Sequence, residues 1–480
     1  MNIIIIPSAS QASAIARSIA ITLAATVMAA CSNYLDIKPY GKEIPETVED
    51  FSALMHDLCY NIDIGEQPEI VGNYALTTDF EAMSDNMEPV LETNSSMWYY
   101  IGDVLKGSSS GNTKQMVWRQ LYEAIRSCNI IIGELKEGRD TREGLDIIGA
   151  AYAVRGVCYY QLIRQFCAPP LADDGTLGVP IVTEFDMEAM PARASMAATI
   201  AQAESDFRQA LDCDPQNALY LFTADAIHGY LARLYHWAGR WQDARDEALI
   251  VLSHRPMLDA EAFAEMQSQQ FGLRGNRIVM GDRISSQNNA LSISSTMTAL
   301  TDRPLSVRYT RLFAEQKQDV RVRNNLYFNR KRKARRTIFS GMRSAEMALI
   351  AMEAAYHLGD HATALSELNA FRALRIDNYV AFSEATLPPV DTTETVKVDA
   401  MGYALTPLSQ AILNERRKEM LLENGDRWFE LKRNGRPEWW VAVGAQKFWT
   451  RRFMYTFPIL IADIQLNPAI IQNPGYDETY

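Results

Sequence analysis

Apolar and polar positions alternate along this chain mostly with the 3.6-residue period of an α-helix. From Val117 to Leu135, Trp118, Leu121, Tyr122, Ile125 and Cys128 fall at i, i+3, i+4, i+7 and i+10, which draws one apolar stripe. Asp146 to Phe166 is a second helical segment, long and rich in alanine and aromatics. It must end where CAPPL begins, because proline cannot continue the hydrogen-bond ladder. Met196 to Leu211 is a third amphipathic segment, stopped near Asp214-Pro215.

Two later segments share a pattern. ARLYHWAGRWQDARDEA, from Ala232 to Ala248, and MEAAYHLGDHATALSEL, from Met352 to Leu368, each place a helix before a glycine, Gly239 or Gly359. An alanine follows five positions later, Ala244 or Ala364, and Ala248 or Leu368 lies four beyond. The spacing resembles a tetratricopeptide helix–turn–helix, in which glycine permits the turn and small residues let two helices approach. Long stretches of different material separate these helices. Asn61 to Tyr100 is rich in Gly, Asn, Asp, Thr and aromatics, and Asp259 to Arg308 and Asn378 to Thr406 are also irregular. Short strand-like runs occur at 97–102 (MWYYIG) and 450–459 (TRRFMYTFPI). Loops of this length on a helical scaffold are where binding function concentrates.

The N-terminus adds a location. IAITLAATVMAA, from Ile19 to Ala30, is too short for a membrane span of about 20 apolar residues but suits the apolar region of a secretory signal. MAAC resembles a bacterial lipobox, which makes Cys31 the expected lipidated first residue of the mature chain. The chain is acidic, with a formal net charge of −12, so nucleic acid is not an expected partner. The basic run from Arg330 to Arg336 is expected to be a solvated or partner-facing strip. Apart from Cys31, the five cysteines contain no CxxC pair. No HExxH or P-loop is present, and no metal or other cofactor is expected.

The most charged stretch, NERRKEMLLENGDRWFELKRNG from Asn414 to Gly435, poses the catalytic question directly. Its pattern predicts one helix from Ile412 to a break at Gly425 and a second capped by Asp426. Glu415, Glu419 and Glu423 share a face, with Arg427 four residues on if the register survives the glycine, and Arg416 and Arg417 nearby. Carboxylates among arginines stay ionised, whereas a general acid needs a raised pKa. Glu415, Arg416, Glu419, Glu423 and Arg427 therefore read as a structural ion-pair network.

That stretch, followed by YTFPILIADIQLNPAIIQNPGY at 455–476, resembles the C-terminal signature of SusD/RagB-family outer-membrane lipoproteins of Bacteroidetes. Asn424-Gly425 stands where Glu-Gly is usual, and Glu430 replaces the usual Asp. Trp118, Tyr122, Ile125 and Asn129 resemble a family helix motif, as does AYAVRGVCYYQLIRQF before GVPIV at 178–182. The resemblance implies a mostly α, SusD-like fold: tetratricopeptide-like helical pairs in one compact domain, with long irregular loops and a few short β-strands. Residues 1–30 would be the signal peptide and 31–480 a single domain. Its scaffold would span about 31–260 and 340–480, with ligand-loop insertions at about 61–100 and 259–308.

It also implies a non-enzymatic protein at the outer membrane, anchored by lipid and facing the cell exterior. Such a protein caps a SusC-like TonB-dependent transporter and captures a glycan or, in some branches, a peptide. The family's ligand residues lie on variable loops, so they are read from this chain alone. Trp98 and Tyr100 would share one face if MWYY is extended, with Tyr74, Asp79 and Asn94 nearby in sequence. The loop from Phe271 to Asn289, with Asn288 and Asn289, is a weaker candidate, and Trp439, Trp440 and Trp449 are expected in the core. Two alternatives stay open. One is a tetratricopeptide-type surface adaptor that binds peptide or protein and no sugar. The other is a helical glycoside hydrolase, for which no carboxylate pair free of arginine is found.

Overall fold

The computed structural model describes residues 45–476, except 65, 68, 73–75, 78–79, 82, 89–116, 172–176, 187, 269–303, 324–325, 329–331, 335–337, 339 and 444–445. The first helices are α1 (Val48–Ile64), α2 (Val117–Glu134) and α3 (Arg142–Phe166). They are followed by α4 (Met196–Asp212), α5 (Ala224–Ala238), α6 (Trp241–His254) and α7 (Ala260–Ser268). The short helices α8 (Val307–Thr310) and α9 (Val320–Arg323) precede α10 (Ser344–His357) and α11 (His361–Ala373). The C-terminal part holds α12 (Pro407–Glu419), α13 (Asp426–Arg433) and α14 (Ile461–Leu466). Strands are few among the described residues: β1 (Leu326–Tyr327) pairs with β2 (Lys333–Ala334), and β3 (Trp439–Val443) with β4 (Gln446–Thr450), both antiparallel.

The helices begin and end where local chemistry dictates. The Thr141 hydroxyl accepts the Gly144 amide at the start of α3, and Ser195 accepts from Ala198 at the start of α4. Thr406 and Ser409 form a reciprocal capping box on α12. The α2 stripe is buried, including Trp118, Leu121, Ile125 and Cys128. Its polar exception, Asn129, is also buried: its Oδ1 accepts from Arg155 at 2.7 Å, and its Nδ2 donates to the Val182 carbonyl at 3.1 Å. Arg155 in turn grips Asp206 through two hydrogen bonds of 3.0 and 2.6 Å, so this polar relay joins α2, α3 and α4.

The two glycine-turn pairs are α5/α6 and α10/α11. Their turns put Gly239 at φ +69° and Gly359 at φ +82°. Although far apart in sequence, the pairs are adjacent in space, because α10 packs directly on α6. Helices α2 to α6 pack in chain order, and α12 closes over α10 and α11. From Thr47 onward the described chain forms one compact unit. Its main apolar core runs through α1 to α6, α10 and α13, and receives Tyr455, Phe457 and Ile459 from the C-terminal segment. A smaller cluster gathers Met87, Leu305, Tyr309, Phe313, Leu421 and Leu422. No described helix is long and apolar enough to cross a membrane.

The C-terminal stretch departs from expectation in its details. Helix α12 stops at Glu419, because Leu422, Asn424 and Gly425 all take positive φ. Gly425, and not Asp426, occupies the N-cap of α13. Gly425 is required twice over: φ is +65°, and an added Cβ would sit 2.4 Å from Phe80 Cβ. The expected strand at 450–459 is instead the end of β4 followed by a 3-10 turn from Arg452 to Tyr455.

Candidate ligand-binding site

The charged residues of α12 and α13 are buried, and most find partners on other elements, whereas Lys418 pairs with Glu415 on its own helix. Glu415 lies 2.7 Å from each of Arg321, Arg372 and Lys418. Glu419 meets Arg375 at 3.1 Å, Arg343 at 3.2 Å and Arg321 at 3.4 Å. Glu423 pairs with Arg343 at 2.8 Å, and Arg416 binds Asp426. The helical register does not survive Gly425, so Arg427 pairs with Asp85 at 2.6 Å and not with Glu423.

At Asp426 burial outweighs Arg416 and pushes the carboxyl up to about 6, whereas at Glu415 and Glu419 the surrounding cations outweigh burial. Lys418, Arg321 and Arg372 hold Glu415 well below the usual carboxylate range. Arg375, Arg343 and Arg321 hold Glu419 at about 2. Carboxylates that are ionised, sealed from solvent and saturated with guanidinium contacts have no proton to give and no substrate to reach. The cluster is architecture.

One arm of this architecture reaches a surface cavity. Asp85 accepts from Arg427 Nε and Nη2 at 2.6 and 2.8 Å, and the Asp85 carbonyl accepts from Arg417 at 3.0 Å. Around Asp85 two chain segments are laced together. Met87 and Leu305 form an antiparallel bridge. The Glu88 amide donates to the Pro304 carbonyl at 2.8 Å, and the Ser306 amide to the Asn86 carbonyl at 2.7 Å. Residues 86–88 and 304–306 are thus held side by side beside Asp85.

The cavity at this point is about 290 Å³, close to the lower end of the range of small-ligand sites. Ser306, Arg308 and Arg311 line one side, with Asp85 and Glu88, and Trp439 and Trp440 line the other. Arg308 donates to the Thr395 hydroxyl at 2.7 Å. Arg311 forms no ion pair among the described residues. The tryptophans arrive on the β3–β4 hairpin, whose register sets Trp440 opposite Trp449. Directly opposed residues project from the same face of a ladder, so the two indoles stand side by side. Trp439 is half-buried against the main core, but Trp440 is 38% exposed and Trp449 54% exposed. The expectation that all three are core residues is corrected for these two. An exposed indole face beside guanidinium, hydroxyl and carboxylate groups can stack on a sugar ring and bond its hydroxyls.

Cys31 and the sequence-based ligand residues Tyr74, Asp79, Asn94, Trp98 and Tyr100 lie outside the described residues, as do Asn288 and Asn289. Sequence reasoning missed Trp440, Trp449, Arg308 and Arg311. A signal for the first two was present: WWVAVGAQKFWT is two β-prone runs about a Gly-Ala turn, a hairpin with a tryptophan near each end.

Both halves of the chain match known families. Residues 33–236 match a family described as "Starch-binding associating with outer membrane". Residues 281–476 match the SusD family. A comparison with curated proteins returns no match. Among solved structures, a SusD superfamily protein from Bacteroides thetaiotaomicron is 21% identical, with TM-score 0.64 over 89% of this chain and 100% of that one. A SusD-like carbohydrate binding protein from Bacteroides vulgatus is 18% identical, with TM-score 0.62 over 89% of this chain and 98% of its own. A SusD-like protein from Bacteroides fragilis gives 15% identity and TM-score 0.62 over 90% and 98%. At such identities the likeness establishes the fold.

Proposed function

The chain belongs to the SusD/RagB family, and from that premise we propose that it is a surface-facing outer-membrane lipoprotein. In this reading it captures a glycan and acts as the lid of a SusC-like TonB-dependent transporter, without breaking any bond in its ligand. The observation that carries the reading is the exposed Trp440–Trp449 pair beside the cavity lined by Arg308 and Arg311. Monomeric proteins seldom display paired tryptophans unless a ligand or partner covers them. The laced segments add weight, because residues 86–88 and 304–306, which belong to the two insertions expected to carry ligand residues, line or adjoin this cavity. Trp98, Tyr100, Tyr74, Asp79 and Asn94 are proposed to complete the site from the 61–100 insertion. Lipid on Cys31 would tether the protein without a membrane span.

The test is calorimetric titration of the mature protein with a panel of neutral oligosaccharides, repeated with Trp440→Ala and Trp449→Ala. A buried aromatic anchor is worth about 1–2 kcal/mol, so each variant should raise Kd roughly 5- to 30-fold. Unchanged affinity in both variants would move the site away from the hairpin. Sugar released from any polysaccharide on incubation would overturn the binding-only reading.

A further inference from the structure

A second cavity, of about 440 Å³, opens at the other side of the hairpin base, and its charge is distinctive. Arg436, Arg451 and Arg452 line it with Glu438, Phe453 and Thr456. An adjoining cavity of about 230 Å³ shares Arg436 and Arg452 with it. The arginines around α12 are tied to carboxylates. Arg451 and Arg452 are different. Both are exposed, and neither guanidinium is held by an ion pair or hydrogen bond among the described residues. Glu438, the acidic group of the wall, accepts the Arg452 backbone amide at 3.2 Å and forms no ion pair among the described residues. In a chain of net charge −12, neighbouring arginines without carboxylate partners beside a cavity mark a local positive potential.

The wall that carries them is rigid. The Tyr455 hydroxyl donates to the Pro437 carbonyl at 2.8 Å, and its ring stacks on Trp428 at 4.5 Å. The Phe453 ring meets Tyr476 edge-on at 5.0 Å. Gly475 makes room for that ring, since a Cβ there would lie 2.5 Å from Phe453 Cγ. These anchors fix the backbone that presents Arg451 and Arg452 at the cavity wall, while their guanidinium groups stay available to a ligand.

We propose that this cavity binds the anionic group of an acidic saccharide, a uronate carboxylate or a sulfate ester. Guanidinium forks match both anions with paired hydrogen bonds, and Phe453 offers an apolar face to the attached ring. The inference rests on the saccharide-binding reading and narrows its ligand to charged glycans.

The test is calorimetry on the full mature chain with three probes of similar length: oligogalacturonate, a sulfated oligosaccharide from heparin, and neutral maltoheptaose. Wild type, an Arg451→Ala/Arg452→Ala double variant and Trp440→Ala are compared at 50 and 300 mM NaCl. The wild type should bind at least one acidic probe about tenfold more tightly than the neutral one, with the gap narrowing at high salt. Which acidic probe wins identifies carboxylate or sulfate. The double variant should lose that advantage while keeping its melting temperature and its neutral-glycan affinity. Equal affinity for neutral and acidic probes, with the double variant silent and Trp440→Ala impaired, overturns the inference and leaves the family reading intact. No binding of any saccharide overturns both. Arginine-dependent binding of a poly-glutamate peptide without any acidic saccharide binding would assign the cavity to a protein partner and also overturns it.

Discussion

Glu419→Gln is the perturbation that the structure prices most directly. The side chain is fully buried and answers three guanidinium groups, those of Arg375, Arg343 and Arg321. Its pKa is held at about 2 against an ordinary 4.5, because the three cations outweigh burial. That gap corresponds to about 3 kcal/mol of preference for the ionised form in the folded state. Removing one partner from a buried ionic cluster costs about 3–5 kcal/mol by a separate route, since the remaining charges stay buried without compensation. Glutamine keeps the volume, so the loss measures charge and not a cavity. A urea titration of the mature protein should therefore show Glu419→Gln destabilised by about 3–5 kcal/mol. Arg323→Ala is the control: its pair with Asp377 is 38% and 44% exposed, and its loss should cost no more than about 1 kcal/mol. Saccharide affinity of the folded fraction should be unchanged in both. The reasoning fails if Glu419→Gln is as mild as the control, or if it abolishes binding while stability holds.

Other perturbations test other parts of the fold. Burial, partly offset by hydrogen bonds from Asn86 and the Leu422 amide, raises Glu81 to about 7. The folded state thus keeps a proton that the unfolded chain has lost, and this contribution is complete below pH 4.5 and disappears as pH rises through 7. Melting curves from pH 4.5 to 7 should show a decline in the wild type, of which Glu81→Gln removes up to about 3 kcal/mol; burial also raises Glu69 to about 7 and Asp426 to about 6, and these supply the remainder. Glu415 and Glu419 have the opposite sign, with stability present above pH 4.5 and lost as pH falls toward 2, so acid melting should be steep below pH 4.5. Gly425→Ala forces a positive φ on alanine and drives Cβ into Phe80, and chemical denaturation should register a loss of about 2–4 kcal/mol. Cys31→Ser should abolish incorporation of labelled palmitate and shift the protein from the membrane fraction to the soluble one.

Much of the helical scaffold was legible because the period of apolar residues reports which face is buried. Trp118, Leu121, Ile125 and Cys128 announce α2, and CAPPL announces where α3 must stop. The glycines of the paired helices were legible as turns, but nothing local says that α10 packs on α6, since that contact joins distant segments. The charged stretch shows the same divide. Sequence indicates that its glutamates keep company with arginines, but not which ones: Arg321, Arg343, Arg372 and Arg375 come from elements far upstream. Its register was misjudged because Leu422 and Asn424 adopt positive φ, a tertiary demand that propensity alone does not reveal. The site was harder still. Trp440 and Trp449 sit amid family-type structural motif, and only the hairpin register turns them outward together. Arg308 and Arg311 looked like ordinary loop residues until the Met87–Leu305 bridge placed them in one cavity with Trp440.

The partners of α12 also impose an order on biogenesis. Arg321, Arg343, Arg372 and Arg375 are made and delivered long before Glu415, Glu419 and Glu423, yet they lie in the interior facing them. Arg321 and Arg372 also have the earlier Asp319 and Glu315, but Arg343 and Arg375 pair with the late glutamates, so a chain made N-terminus first carries two cations that its half-built core cannot accept. It stays loose until the final stretch emerges to neutralise them. Chains cut short before Pro407 should never pack tightly and should be cleared by proteases, which would make this late segment a built-in check on the finished fold.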